Sequence, residues 1–267
     1  MNYKFFKLTC VGLLFLLMTF SSCTEDEERP VLQLDLPDFN KINVAQNIIV
    51  NIHAGEQKVE LTGLGLLDSV EMTVVDEELS IYNPNPTLVN DVVADIWVPE
   101  LIQIICRENS ITYFPDNFSS RSNELTLFGR NSAKVKVEQN FTYDSVYFGL
   151  RDAATLEIAN IQSREVYAFL RNSTRSNIQG FSERFNLVMN DDSQFNIDFP
   201  DATILFIEPI ASEQVTITTR NDAYAWVYST NILDANVNDG SIVYYKGKPA
   251  IIKQDLSEDG QLLEKDQ

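Results

Sequence analysis

Six stretches of the chain align without a gap. They are Arg-Asn-Ser-Ala-Lys-Val-Lys-Val from Arg130, Arg-Asp-Ala-Ala-Thr-Leu-Glu-Ile from Arg151, Arg-Asn-Ser-Thr-Arg-Ser-Asn-Ile from Arg171, Asn-Asp-Asp-Ser-Gln-Phe-Asn-Ile from Asn190, Arg-Asn-Asp-Ala-Tyr-Ala-Trp-Val from Arg220 and Asn-Asp-Gly-Ser-Ile-Val-Tyr-Tyr from Asn238. Their starts lie 21, 20, 19, 30 and 18 residues apart. A repeat of about 20 residues marks a solenoid. Each unit is a polar turn followed by a strand-like alternation. One such unit has too little apolar surface to fold alone, so the units must stack.

The alternation places the core. One inward column runs Phe114, Val137, Ile158, Ile178, Ile197, Val227, Tyr245, and a second runs Thr112, Val135, Leu156, Ser176, Phe195, Ala225, Val243. Between them lie Tyr113, Lys136, Glu157, Asn177, Asn196, Trp226 and Tyr244, which therefore face outward. A second short strand before each turn carries further inward pairs, Leu125/Leu127, Val146/Phe148, Val166/Ala168, Phe185/Leu187 and Val215/Ile217. Two strands per coil, like residue above like, predict an all-β, parallel β-helix with coils of about 20 residues. Its strands bond the coils above and below, so only the end coils keep free edges. The regular coils begin near residue 107, after a β-rich N-terminal part.

The turn column is Asn131, Asp152, Asn172, Asp191, Asn221, Asp239. Asn and Asp tolerate the left-handed backbone and bond their own main chain. Half the column is acidic and no Gly-Gly-x-Gly-x-Asp pattern occurs, so turn chemistry is expected here rather than a calcium ladder.

The N-terminus speaks to location. Lys4 and Lys7 precede an apolar run from Leu8 to Phe20, then Ser21, Ser22 and Cys23. This is a secretory signal over 1–22, too short in its apolar part to span a bilayer comfortably. Small residues before Cys23 match a bacterial lipobox, with Phe20 where Leu is usual. Lipidated Cys23 would begin the mature chain and hold it to a membrane through acyl chains. An acidic tether follows over 23–34, including Glu25-Asp26-Glu27-Glu28, and one β-helix domain is expected over 35–267. The tether is similar to the export signal of surface lipoproteins in Bacteroidetes. The expected location is the outer membrane, facing the surface or the periplasm. The formal charge is −19, and the signal carries two lysines and no acid, leaving −21 without it. Such a chain is not a nucleic-acid partner. Beyond Cys10 and Cys23 there is only Cys106, so neither an intrachain disulfide nor a thiolate metal cluster can form; Cys106 reads as a small buried hydrophobe.

Before the regular coils, Ile48/Val50/Ile52, Val59/Leu61, Val70/Met72/Val74 and Leu79/Ile81 alternate as strands, and Pro84 and Pro86 interrupt them. Several segments here carry a resemblance: Phe39-Asn40-Lys41-Ile42-Asn43-Val44, Ile49-Val50-Asn51-Ile52-His53-Ala54-Gly55, Leu66–Val74, Leu79-Ser80-Ile81 and, near the end, Tyr245-Lys246-Gly247-Lys248-Pro249. In this order they resemble the head GIN domain family of auto-transporter adhesins, over roughly Phe39 to Gly260. The chain departs from that family where Asn131, Asn172 and Asp192 replace turn glycines and Glu78 replaces another. The resemblance implies a right-handed β-helix at the cell envelope and a role in adhesion. It supplies no catalytic residues.

β-Helices also host polysaccharide lyases and hydrolases, which need clustered carboxylates. The best cluster here is Asp191-Asp192 with Asp152, near Arg151 and Arg171. Turn formation and Arg–Asp pairing between coils account for these residues. The single histidine, His53, has no Ser or acidic motif tied to it, and Gly63-Leu64-Gly65 lacks the rest of a nucleotide loop. No enzyme and no cofactor are expected. The better reading is an adhesin or binding module for glycan or protein. A structural spacer of the envelope is the alternative, and a β-helix lyase or hydrolase a further one. The binding candidates are Tyr224, Trp226 and Tyr228, with Tyr244 one coil on in the Trp226 column. Outward aromatic rows stack on sugar rings or anchor a partner. Two readings remain for them. The row is open, or the insertion over 198–214, with Ile204-Leu205-Phe206-Ile207, folds over it.

Overall fold

The turns set the frame. In the computed structural model, which describes residues 31–65, 67–85, 89–197, 208–257 and 259–265, the turn column has left-handed backbone throughout, with φ from 52° at Asp239 to 60° at Asn172. The next residue is left-handed as well: Ser132, Ala153, Ser173, Asp192, Asp222 and Gly240. Where the first residue's carbonyl accepts from the fourth, as in Ala133 N–H to Arg130 O (3.3 Å) and Ser241 N–H to Asn238 O (3.1 Å), the pattern is a type I′ turn. It folds one arm of a coil onto the next in two residues. Main-chain bonds then tie the turns together along the axis, for example Ser132 N–H to Asp152 O and Ala153 N–H to Asn172 O, both 3.0 Å. Side chains add a second ladder: Asn172 Nδ2 donates to Asp152 Oδ1 and Asn221 Nδ2 to Asp191 Oδ1, each at 2.7 Å.

Between turns the chain is almost all strand, and the 21 strands among the described residues form one continuous sheet. The coils pair in parallel with the expected register. Val135 faces Leu156 and Val137 faces Ile158; Leu156 faces Ser176 and Ile158 faces Ile178; Phe195 faces Ala225, which faces Val243. The paired short strands expected in each coil are joined into long bent ones, Thr155–Arg171, Arg175–Asn190 and Tyr224–Val237. The bend falls at a register shift after Ile158, where Gly180 stands opposite Ile161 with φ of +121°. The inward columns form one apolar core together with the five inward pairs of the second arm. Aromatic rings fill its wider parts: Phe114, Phe118, Phe141 and Tyr143 pack in a chain with centroids 5.0–6.3 Å apart.

Three column expectations are corrected, one inward and two outward. Ile197, expected inward, is only half-buried, while Asn196, expected outward, is fully buried and has φ of 55°. The chain leaves the coil here, and the left-handed step at Asn196 turns its amide inward. Its Oδ1 accepts from Ile178 N–H (2.7 Å) and its Nδ2 donates to Trp226 O (3.3 Å), completing ladder bonds that the departing strand no longer makes. Asn177, also expected outward, is 3% exposed. Both ends of the insertion attach at its neighbour Ile178, through Asn196 and through Ile210 N–H to Ile178 O (2.9 Å). Tyr245 keeps its inward position but is only partly buried, since few coils remain beyond it.

The N-terminal part does not stack in chain order. Lys41–Ala45 pairs in parallel with both Glu78–Tyr82 and Gln103–Arg107, and Ile49–Ala54 with both Val89–Val98 and Ile111–Phe114. The layer formed by 41–54 is thus inserted between the layer of 78–98 and the first regular coil. Beyond it, the outer edges are covered by antiparallel strands: Lys58–Gly65 on Val89–Val98, Val31–Leu34 on Lys58–Gly65, and Glu71–Val75 on Glu78–Tyr82. This hides a parallel edge that would otherwise template aggregation.

Candidate functional site

Alternation along Tyr224–Val237 buries Ala225 and Val227 and leaves Tyr224, Trp226 and Tyr228 outward, as expected. Trp226 stands opposite Tyr244 in register and Tyr228 opposite Lys246. Tyr224 is 38% exposed; Trp226, Tyr228 and Tyr244 are half-buried. The insertion's apolar residues Ile204–Ile207 lie outside the described residues. What does lie on the rings comes from the C-terminal end. Lys265 Nζ sits 4.0 Å above the Trp226 ring and 5.8 Å from that of Tyr244. Lys246 Nζ lies 5.6 Å from the Tyr228 ring and bonds Glu208 Oε1 at 2.6 Å. The face is therefore an aromatic row dressed by two ammonium groups that hold it by cation–π attraction. In the sequence Lys246 stands out only within the Tyr245–Pro249 segment and Lys265 not at all, because the coil that brings Lys265 over Trp226 is a matter of stacking.

The other sequence candidates resolve into structure. Asp152 and Asp191 accept from turn amides, and Arg171 Nε bonds Asp191 Oδ2 at 3.2 Å across coils. Arg151 lies 3.7 Å from Asp152 of its own turn. Cys106 is fully buried with its Sγ 3.0 Å from Thr112 Oγ1, and burial pushes its thiol up to about 12. A thiol so placed has no thiolate to offer at neutral pH. His53 does acquire acidic neighbours that its local sequence lacks. Its Nδ1 lies 2.9 Å from Asp116 Oδ2, its Nε2 3.6 Å from Asp95 Oδ1, and its ring stacks on Trp97 at 4.8 Å. Among the described residues no group of three or more His, Cys, Asp or Glu side chains is arranged to hold a metal ion. Cys23, the expected anchor, lies outside the described residues.

A second surface was not anticipated. On the arm before each turn, three outward columns run side by side. The first holds Arg107, Arg130, Arg151 and Arg171, one per coil; Arg107 faces Arg130 and Arg151 faces Arg171 in register. The second holds Ile105, Phe128, Gly149, Phe169 and Val188, and the third contains Tyr147 and Tyr167. Gly149 leaves a gap in the apolar column. The Phe128 ring leans over it, so close that a methyl at Gly149 would stand 2.6 Å from Phe128 Cδ1. Tyr147 packs its edge against Phe128 at 5.7 Å. The result is a hollow of about 450 Å³, bordered by Phe128, Tyr147 and Phe169 and by Arg107, Arg130 and Arg151. Phe128 and Tyr147 are 37% and 38% exposed.

The described residues thus form a stacked parallel β-solenoid with aromatic residues on its outer faces. The chain belongs to the family described as putative auto-transporter adhesin, head GIN domain, which matches residues 38–249. Solved structures share the fold. A putative adhesin from Parabacteroides distasonis has a TM-score of 0.77 at 16% identity, covering 90% of this chain and 98% of its own. A putative lipid binding protein from the same species has a TM-score of 0.77 at 14% identity, with the same coverage of 90% and 98%. A putative adhesin from Parabacteroides merdae reaches 0.74 at 16% identity, again covering 90% and 98%. No functionally curated protein matches the chain. Among the described residues no helix is long and apolar enough to cross a membrane.

Proposed function

We propose that this protein is a non-enzymatic adhesin of the cell envelope, held to the outer membrane through lipidated Cys23, which binds glycan or protein through the face of Tyr224, Trp226, Tyr228 and Tyr244. The observation that carries the reading is the register of Trp226 with Tyr244 on an outward column. Folding alone would place polar residues there, as it does at Lys136 and Glu157. Aromatic rings spaced by one strand separation, about 4.8 Å, present flat apolar faces to a sugar ring or a partner's side chain. Lys265 and Lys246 add positive charge beside them and can turn toward an acidic group of the ligand.

The experiment has two arms. Cys23→Ala should release the protein from the membrane fraction; if it stays with the membranes, the anchor is elsewhere. Trp226→Ala with Tyr244→Ala should abolish binding on a glycan array or to a captured surface partner, with the melting temperature unchanged. A large drop in melting temperature would show that the rings serve the core, and would end the reading of this face as a site.

A further inference from the structure

We infer that the hollow between the arginine column and Phe128 is a binding site for an amphiphilic anion: an apolar chain joined to a carboxylate or phosphate head. The inference is independent of the Trp226 face, which lies on a different arm several coils away. It begins from a cost. Like charges facing each other on neighbouring strands repel, yet Arg107 faces Arg130 in register and Arg151 follows one coil on. The chain carries 39 acidic residues against 20 basic ones, so carboxylates are plentiful. Arg151 and Arg171 take them, from Asp152 and Asp191. Arg107 and Arg130 do not. Among the described residues neither has a carboxylate within ion-pair distance. The Arg107 guanidinium donates only to the neutral amide oxygen of Asn43, and the Nε of each arginine is buried without a hydrogen-bond acceptor. A guanidinium held in this state matches a carboxylate or phosphate oxygen pair.

The walls specify the rest of the ligand. Next to the two unpaired guanidinium groups the surface is Phe128, Tyr147 and Phe169 around the bare backbone of Gly149. These walls are mostly apolar, with the Tyr147 hydroxyl as the polar group among the three side chains. A sugar could stack on these rings only through its apolar face, and any hydroxyl turned toward them would stand unpaired, which is penalised. A hydrocarbon segment meets no such penalty and gains from leaving water. The hollow is thus polar at one side and apolar at the other, and an anionic head with an apolar body satisfies both.

The test is calorimetric titration of residues 24–267, which hold every strand and the whole core described above, so that no lipid anchor competes. The probes are sodium dodecanoate below its micelle concentration, dodecyl maltoside as the same chain with a neutral head, and acetate as the head alone. Dodecanoate should bind saturably, one per chain, and at least about tenfold more tightly than either control. Arg130→Met, which keeps the apolar stem, should weaken dodecanoate by about tenfold or more with an unchanged melting temperature. Gly149→Ala should block the hollow; if that variant is unstable, Arg130→Met alone decides. Equal binding of the maltoside, equal binding of acetate, non-saturable uptake, or full affinity in Arg130→Met would each overturn the inference. Tighter binding of a uronic-acid disaccharide than of dodecanoate would overturn the assignment of class.

Discussion

At the scale of single residues, buried polar groups decide more than their number suggests. Asn196 is the clearest case. Its amide replaces two ladder bonds at the point where the chain leaves the coil. Asn196→Ala should cost about 1–3 kcal/mol, since Ile178 N–H would be left buried without an acceptor; a denaturant titration measures it. Asn196→Asp should recover less than half of that loss, because one of the two bonds needs a donor. A surface pair behaves differently. Arg164 grips Asp144 through two bonds of 3.0 and 2.9 Å and holds its carboxyl below the usual aspartate range. A lowered folded-state value means stability that is present above the unfolded aspartate's range and is lost as pH falls through the folded one. The melting temperature of Asp144→Asn should therefore lie below wild type at pH 7 and converge with it only as pH falls below the ordinary aspartate range. The effect is small, because the pair is exposed to solvent.

The element that repeats is an arm, a bend, an arm and a tight turn. Alternation and the Asn/Asp column show the arms and the turn in the sequence. The bend does not show, because a register shift in the middle of a strand has no residue signature of its own. Gly247, two residues after Tyr245 with φ of +102°, marks it in one coil, and Gly180, two residues after Ile178, marks it in another. With φ of +121° and a would-be Cβ only 2.1 Å from Ile161 O, Gly180 allows two coils to approach where the strand changes direction. Gly180→Ala should destabilise by at least about 1–3 kcal/mol, read as a lower melting temperature with the far-ultraviolet spectrum retained. The turns contrast with it. Ala153 accepts a left-handed φ of 61° without being glycine, held by its bond to Asn172 O.

For the whole molecule, stacking order matters as much as coil identity. In a solenoid threaded in chain order, residues near the N-terminus would sit on a fraying end. Here Ile42 and Ile52 belong to an interior layer and are 0% and 1% exposed. Ile42→Ala should thus cost as much as Ile158→Ala in the middle of the regular coils, about 2–5 kcal/mol each. If Ile42→Ala proves near neutral by thermal melting, the interleaved order is wrong.

The repeat spacing, the inward columns Val135–Val243 and Val137–Ile178, and the turn residues were all determined by the sequence, because period-2 burial and left-handed turns are local physics that each coil obeys alone. Outwardness of Tyr224, Trp226 and Tyr244 followed from the same alternation. What only the tertiary structure decided are relations between segments with no local trace. The layer of 41–54 slips between two later ones because edge strands gain by finding any free parallel partner, whatever their order in the chain. Asn196 turns inward because its coil is interrupted. Arg107, Arg130 and Arg151 become one cationic border, beside a hollow above Gly149, only when about 20 residues of chain return each of them to the same place on the next coil.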